Sequence, residues 1–314
     1  MRKVLVVPAT LLLFMLFAAP QQTKPPVRSQ SGPIRVEVEA VNVLVSVLDK
    51  QGGFVTELTP DRFIVLEDKV RQEITNFAKE ASLPLTMAML IDTSGSVRLT
   101  LDFEKRAASS FFHDVMRPND QAMLVEFDTG TTLLHDFTDR PAVLVDQLRG
   151  LRAGGGTALY DALYRVSTEK LVTPTERRVV VIVSDGDDLH SKHSPEEAAA
   201  AVLRSEVTVY AIGTTKFGTS RDQGGEKKLR TLAELTGGRL FLPSSEEQFD
   251  TAFSQINQEL RSQYSLSYVS TNKARDGKFR RLDVKITDDK GMKIRYKQGY
   301  YAPVEPPAKP TAAK

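Results

Sequence analysis

The 314-residue chain contains no cysteine. That excludes a disulfide framework and a lipid-modified cysteine, so stability in an oxidising compartment has to come from packing. An excess of one charge is missing as well: Lys and Arg total 42 against 40 for Asp and Glu. Setting aside Arg2 and Lys3, which belong to a leader-like start, leaves 40 against 40. So even a balance gives no general attraction to nucleic acid or to an anionic membrane. The four histidines fall into no recognisable triad order with a Ser or Cys nucleophile. Long hydrophobic runs are also lacking. The apolar stretch Val4 to Ala19 is shorter than the ~20 residues of a spanning helix. Preceded by Met-Arg-Lys, it has the form of a secretory signal. Pro20 after Ala18-Ala19 is a poor cleavage context, so an uncleaved membrane anchor over residues 1–20 is the alternative. Both readings export the protein, to the periplasm or beyond, and membrane contact is expected only if that segment is retained.

What is present is ordinary for a folded protein: 41% hydrophobic and 26% charged residues. Residues 21–33, QQTKPPVRSQSGP, and the end 304–314, VEPPAKPTAAK, are polar and aperiodic and read as a linker and a tail. Residues 34–80 have period two. Ile34, Val36 and Val38 alternate with charges, and Val41, Val43, Val45 and Val47 alternate with other residues, which fits two strands or one strand with a bulge near Ala40. A turn at Asp49 to Gly53 and short strands Phe63 to Glu67 and Glu73 to Phe77 complete an all-β block.

From Leu85 strands alternate with helices, which predicts parallel strands with helical crossovers. Strands are expected at Leu85 to Ile91, Ala122 to Phe127, Thr132 to Phe137, Arg178 to Val183, Thr208 to Ile212 and Arg239 to Leu242. Helices are expected at Val97 to Met116, Pro141 to Leu148, Ala158 to Leu171, Pro195 to Ser205, Lys227 to Leu235 and Glu246 to Leu260. Six strands covered by helices make a doubly wound α/β sheet. Period two returns after Ser262, at Tyr264 to Tyr268, Arg281 to Thr287 and Met292 to Tyr296. The α/β domain, residues 83–261, is therefore expected as an insertion in a small β-sandwich whose second part is residues 262–303, because either β piece alone would leave half a core and open edges.

Open α/β sheets bind ligands beyond the carboxyl ends of their strands. Three loops there carry oxygen: Asp92, Ser94 and Ser96 after the first α/β strand, Thr157 after the triple glycine Gly154-Gly155-Gly156, and Asp185 after the apolar run Val179 to Val183. The alternate spacing Asp92-x-Ser94-x-Ser96 can turn three oxygens toward one point. A hard cation such as Mg²⁺ takes oxygen ligands and keeps some of its waters. Hydroxyl ligands leave most of its charge uncompensated, so an open position favours an outside carboxylate.

At these residues the chain resembles the von Willebrand factor type A domain, whose metal-ion-dependent adhesion site has the pattern Asp-x-Ser-x-Ser, a loop Thr, and a later Asp-Gly. All five positions are filled, by Asp92, Ser94, Ser96, Thr157 and Asp185 followed by Gly186, and the likeness spans roughly residues 83–260. The resemblance implies direct metal binding by Ser94 and Ser96, direct or water-mediated binding by Thr157, and mostly water-mediated binding by the two aspartates. It implies Mg²⁺, with Mn²⁺ or Ca²⁺ as alternatives, and a protein ligand presenting Asp or Glu; no catalytic residue and no enzyme activity are expected. The flanks, Leu58-Thr59-Pro60-Asp61-Arg62-Phe63 and Gly299-Tyr300-Tyr301-Ala302-Pro303 among them, are similar to a bacterial von Willebrand factor A-related family abundant in Acidobacteria. Two other readings stand beside this one, a hydrolase using the cation or Asp128 and a purely structural module with an empty site. Residues Asp92 to Ser96 can also serve simply as a cap for the following helix.

Other stretches read more plainly. Asp128-Thr129-Gly130 matches the aspartic-protease tripeptide but lies between helices, and a hairpin turn with Gly130 at positive φ is the expectation. The triple-glycine loop lacks the Lys of a phosphate-binding loop and the spacing of a dinucleotide fingerprint. Asp187, Asp188, His190 and His193 are expected as a solvated loop beside the main site. Tyr264, Tyr268, Tyr296, Tyr300 and Tyr301 are expected to cover a sheet face.

Overall fold

The computed structural model describes residues 40–79, 84–172, 177–214, 223–289 and 291–305. The leader-like segment, the linker, the strand expected at 34–38 and most of the expected tail lie outside the described residues.

The α/β part is a six-stranded sheet covered on both faces. Its strands are β5 (Leu85–Asp92), β6 (Gln121–Phe127), β7 (Thr131–Thr138), β8 (Arg177–Ser184), β9 (Thr208–Gly213) and β10 (Leu240–Phe241). Their order is β10-β9-β8-β5-β6-β7. Only β6 and β7 pair antiparallel, through the hairpin at Asp128 to Gly130; the other neighbours are parallel. All eight residues of β5 and all eight of β8 are buried, as expected for central parallel strands with helices on both sides. Met87, Met89 and Ile91 join one helix layer, which contains α1 (Leu101–Val115), α2 (Pro141–Gly150) and α6 (Glu246–Leu260). Ala88 and Leu90 join the other, which contains α3 (Leu159–Arg165), α4 (Pro195–Arg204) and α5 (Gln223–Leu235). Each such buried aliphatic side chain contributes on the order of 1.5–3 kcal/mol, which is why the strand register tolerates no slip.

The expected first helix is shorter than its sequence pattern. Gly95–Leu99 forms a 3₁₀ turn and the α-helix begins at Leu101. Helix α3 likewise ends at Arg165 and widens into a π-helical turn over Val166–Lys170. The 3₁₀ turn sits directly after the oxygen-bearing segment Asp92 to Ser96, whereas the π turn lies at the far end of α3, before β8.

The two β segments pair into a sandwich, as two four-stranded sheets. One has the order β13-β1-β11-β4, from Lys293–Tyr296, Ala40–Leu48, Tyr264–Val269 and Ile74–Lys79. The other has the order β14-β12-β2-β3, from Gly299–Tyr301, Phe279–Ile286, Phe63–Glu67 and Val70–Gln72. Val43, Val45, Val47, Phe63, Val65, Tyr264, Leu266, Tyr268, Leu282 and Val284 fill the space between them. Two short strands, β3 and β14, escape the sequence reading. Asp68 and Lys69 take positive φ in a two-residue turn, which folds Val70–Gln72 back on β2. The chain then leaves that sheet at Glu73, and β4 pairs with β11 in the opposite sheet. Three residues are too few to show a period, so a sheet switch of this kind is invisible in the pattern.

Chain entry and exit explain how the α/β part can be an insertion. Strands β4 and β11 are neighbours, and they lead into β5 and out of α6 respectively. The seam lies at the amino ends of the α/β strands. There the Arg177 guanidinium donates to Leu260 O and Gln263 Oε1, and Arg295 pairs with the fully buried Glu259 at 3.0 Å. Gln298 N–H donates to Leu235 O at 2.9 Å, and Arg204 stacks over the Tyr301 ring, 4.2 Å from its centroid. The carboxyl ends of the strands are left free for a site.

Candidate metal site at the carboxyl ends of the strands

Strand β5 delivers Asp92 fully buried. Its Oδ1 accepts the Ser94 N–H at 2.8 Å, which turns the backbone sharply after the strand. Its Oδ2 accepts the Ser184 hydroxyl at 2.5 Å, so the ends of β5 and β8 are locked together. Burial pushes the Asp92 carboxyl up to about 6; the Ser184 hydroxyl and the Ser94 N–H oppose this, and the charge of Asp185 adds to it. The turn brings the Ser94 and Ser96 hydroxyls within 2.9 Å of each other. Thr100 precedes α1 and its side chain makes no capping hydrogen bond, nor does that of Ser94 at the 3₁₀ turn. The Asp-Thr-Ser-Gly-Ser segment is therefore not spent on capping the helix.

Thr157 is buried, on a loop that the chain ties down at several points. Gly154 N–H donates to Thr93 O at 2.7 Å, Gly95 N–H to Gly155 O at 3.1 Å, and Ala158 N–H to Asp128 O at 2.6 Å. Gly156 N–H donates to the Thr129 hydroxyl at 2.9 Å. These bonds bring the Thr157 loop against the serine loop. Asp185 directly follows Ser184, and its charge acts on Asp92. Gly186 takes φ +78, and a Cβ there would lie 2.5 Å from Gly225 O, so the turn after Asp185 needs glycine for both conformation and space.

The hairpin residue Asp128 accepts the Gly130 N–H at 2.9 Å in a closed turn. Gly130 does not take the positive φ expected of it, because this side-chain bond closes the turn instead. Together with Thr129, the turn serves as a buttress for the Thr157 loop.

The segment 187–193 is more than a solvated loop. Asp188 accepts the Tyr160 N–H at 2.9 Å and the Ser191 hydroxyl at 2.7 Å. His193 pairs with Asp161 at 2.7 Å and stacks on Tyr164. His190 Nδ1 accepts the Thr157 N–H at 3.2 Å. A Cβ on Gly156 would fall 2.1 Å from His190 Cε1, so the third glycine of the triple is the space into which the imidazole fits. His190 thus holds Thr157 from behind. The available sequence signal was the coincidence of a bare glycine beside Thr157 and a histidine five residues after Asp185.

No group of three or more His, Asp or Glu side chains suited to a metal occurs among the described residues. The oxygen set here is of another kind, two serine hydroxyls and a threonine on a loop tied against them, with two aspartates behind. Neutral hydroxyls with a few carboxylates suit a hard, oxygen-seeking cation.

Residues 87–187, which contain all three loops, match the family model of the von Willebrand factor type A domain. The chain carries a von Willebrand factor type A domain. A structure of a von Willebrand factor type A protein from Catenulispora acidiphila superposes with a TM-score of 0.50 at 12% identity, over 86% of this chain and 75% of that one. Proximal thread matrix protein 1 from the mussel byssus, solved with a zinc-occupied metal-ion-dependent adhesion site, gives a TM-score of 0.50 at 18% identity over 63% of this chain and 50% of that one. Both likenesses concern the fold. In sequence, a UPF0353 protein of Mycolicibacterium vanbaalenii is 27% identical over 199 residues, 55% of this chain. The chain spans 59% of the length of the curated relatives it matches. The matched residues lie within the α/β part and contain the three loops described above; the sandwich is the frame into which that part is inserted.

Proposed function

We propose that the protein is an exported binding module that captures an acidic residue of a partner protein through a divalent cation held by Ser94, Ser96, Thr157, Asp92 and Asp185. The observation that carries this reading is the Ser94–Ser96 hydroxyl pair, 2.9 Å apart, with the buried Asp92 carboxylate pinned behind it and the Thr157 loop tied against the serine loop. A bound cation supplies an electrophilic coordination position, and Mg²⁺ suits the oxygen set, with Mn²⁺ or Ca²⁺ as substitutes. This chain's residues bring the oxygens together and shut water out behind Asp92.

The surface beside the site fits a protein partner. Leu99 and Leu189 are 73% and 77% exposed, the most exposed large apolar side chains among the described residues. Leu99 follows Ser96 by three residues and Leu189 follows Asp185 by four. The ligand this reading calls for is an Asp or Glu flanked by apolar residues that cover these two side chains. Export is supported by the signal-like start of the sequence; no helix among the described residues is long and apolar enough to cross a membrane.

The test is a calorimetric titration of the full chain with Mg²⁺ and Mn²⁺, followed by capture from envelope extract with and without chelator. Saturable cation binding and capture that chelator abolishes are expected. Absence of any cation binding overturns the reading.

A further inference from the structure

We propose that Glu104 belongs to the cation site as a buried carboxylate that balances the ion's charge from within the helix layer, in addition to the five residues of the three loops. The inference rests on the proposed metal site and extends it by a residue from a fourth element.

Glu104 lies in the first turn of α1, one turn beyond the serine loop. The inward stripe of that helix is Leu101, Glu104, Ala108, Phe111 and Val115, all buried. Its apolar members pack against Met89, Ile91, Val181 and Val183 of β5 and β8. Glu104 is the one charged residue in the stripe, it has no exposed surface, and it sits at the end of the helix nearest Asp92.

Neither Glu104 oxygen receives a hydrogen bond. The Thr100 hydroxyl, one turn back, gives its proton to Val97 O at 3.1 Å. Each of the other buried carboxylates among the described residues has at least one partner. Glu67 accepts three hydroxyls, from Tyr268, Ser270 and Tyr300. Asp120 accepts the Leu85 and Arg117 N–H groups and pairs with Arg261. Glu259 pairs with Arg295, and Asp92 is bonded as described above. Of these five, Glu104 alone has neither oxygen partnered; Glu259 keeps one oxygen paired with Arg295. An isolated ionised carboxylate in a protein interior is so costly that it either neutralises or finds a cation.

The charges of Asp92 and Asp185 reach Glu104. Asp92 ends β5, Asp185 directly follows the neighbouring β8, and Glu104 lies in the first turn of the helix after the serine loop; among the described residues no cationic side chain is bonded to any of the three. The amino end of α1 favours negative charge at Glu104 but amounts to only about half an elementary charge. A divalent cation at the hydroxyl pair supplies the rest. Glu104 acts on the ion through its charge; the hydroxyls remain the ligands.

The test is titration calorimetry with Mg²⁺ on the full chain, on Glu104→Gln, which keeps the shape and removes the charge, and on Glu104→Leu, paired with melting in chelator. Both variants are expected to bind Mg²⁺ at least tenfold more weakly, a loss typical of residues that support metal ligands. In chelator, Glu104→Leu is expected to melt at or above the parent. Parent-like Mg²⁺ affinity in both variants overturns the inference, and so does a lower melting temperature in chelator with affinity unchanged, which marks a purely structural residue. If the parent chain itself binds no cation, the proposed function fails, and this inference with it.

Discussion

A carboxylate's surroundings decide whether it serves as structure or as chemistry, and Glu67 and Glu104 make the contrast within one chain. Both are buried. Three hydroxyl donors make Glu67 a tie between the sandwich sheets, whereas the one hydroxyl beside Glu104, that of Thr100, is given to Val97 O. Burial pushes the Glu104 carboxyl up to about 8, with Asp92 and Asp185 adding and the Thr100 hydroxyl opposing. Its folded-state pKa thus lies above the ordinary 4.5, and the folded protein holds a proton that the unfolded chain has lost. Stability of the metal-free protein must then fall as pH rises from about 4.5 to about 8. Melting in chelator is expected to show that decline between pH 5 and 8, and saturating Mg²⁺ is expected to shrink it, as differential scanning calorimetry would record. At Asp92, the substitution Asp92→Asn keeps an oxygen for the Ser94 N–H but removes the charge. Calorimetry is expected to find Mg²⁺ binding lost, with the chelated protein melting within a few degrees of the parent.

At the scale of elements, the helices and loops around the site are held by different devices. Helix α4 begins with a complete capping box, in which Ser194 Oγ accepts the Glu197 N–H and Glu197 accepts the Ser194 N–H. Ser194→Ala is expected to cost about 1 kcal/mol, roughly 2–4 °C in a chain of this size. Mg²⁺ affinity should stay unchanged, because the cap lies beyond the loop that touches Thr157. Helix α1 has no such box and starts from a 3₁₀ turn, which frees the serines before it. The existence of nearly every long element was legible in the sequence: 3.6-residue and two-residue periods over six or more positions identify their own kind. The short strands β3 and β14 and the shortened start of α1 were not, because their geometry comes from pairing and loop closure rather than from local pattern.

At the scale of the whole molecule, sandwich and α/β domain meet at the amino ends of the strands, and the site occupies the opposite rim. Arg295, from the sandwich, supplies the ion pair for Glu259, from α6. Arg295→Leu leaves that carboxylate with only Arg239, 4.0 Å away, and is expected to cost about 3 kcal/mol, read as a lower denaturant midpoint, with Mg²⁺ affinity retained. Separation of the two effects would show that the seam sets stability and the far rim sets function.

The residue types and spacing of Asp92, Ser94, Ser96, Thr157 and Asp185, and the alternation of β and α segments, were determined by the sequence alone, because side-chain chemistry and periodicity are local properties. The support behind the site was not. That Gly156 is the berth of His190, that Asp128 and Thr129 buttress the Thr157 loop, and that Glu104 stands without a partner were decided only by the tertiary structure. Whether a buried polar group is satisfied depends on which distant residues the fold brings within about 3 Å of it, and no window of sequence contains them.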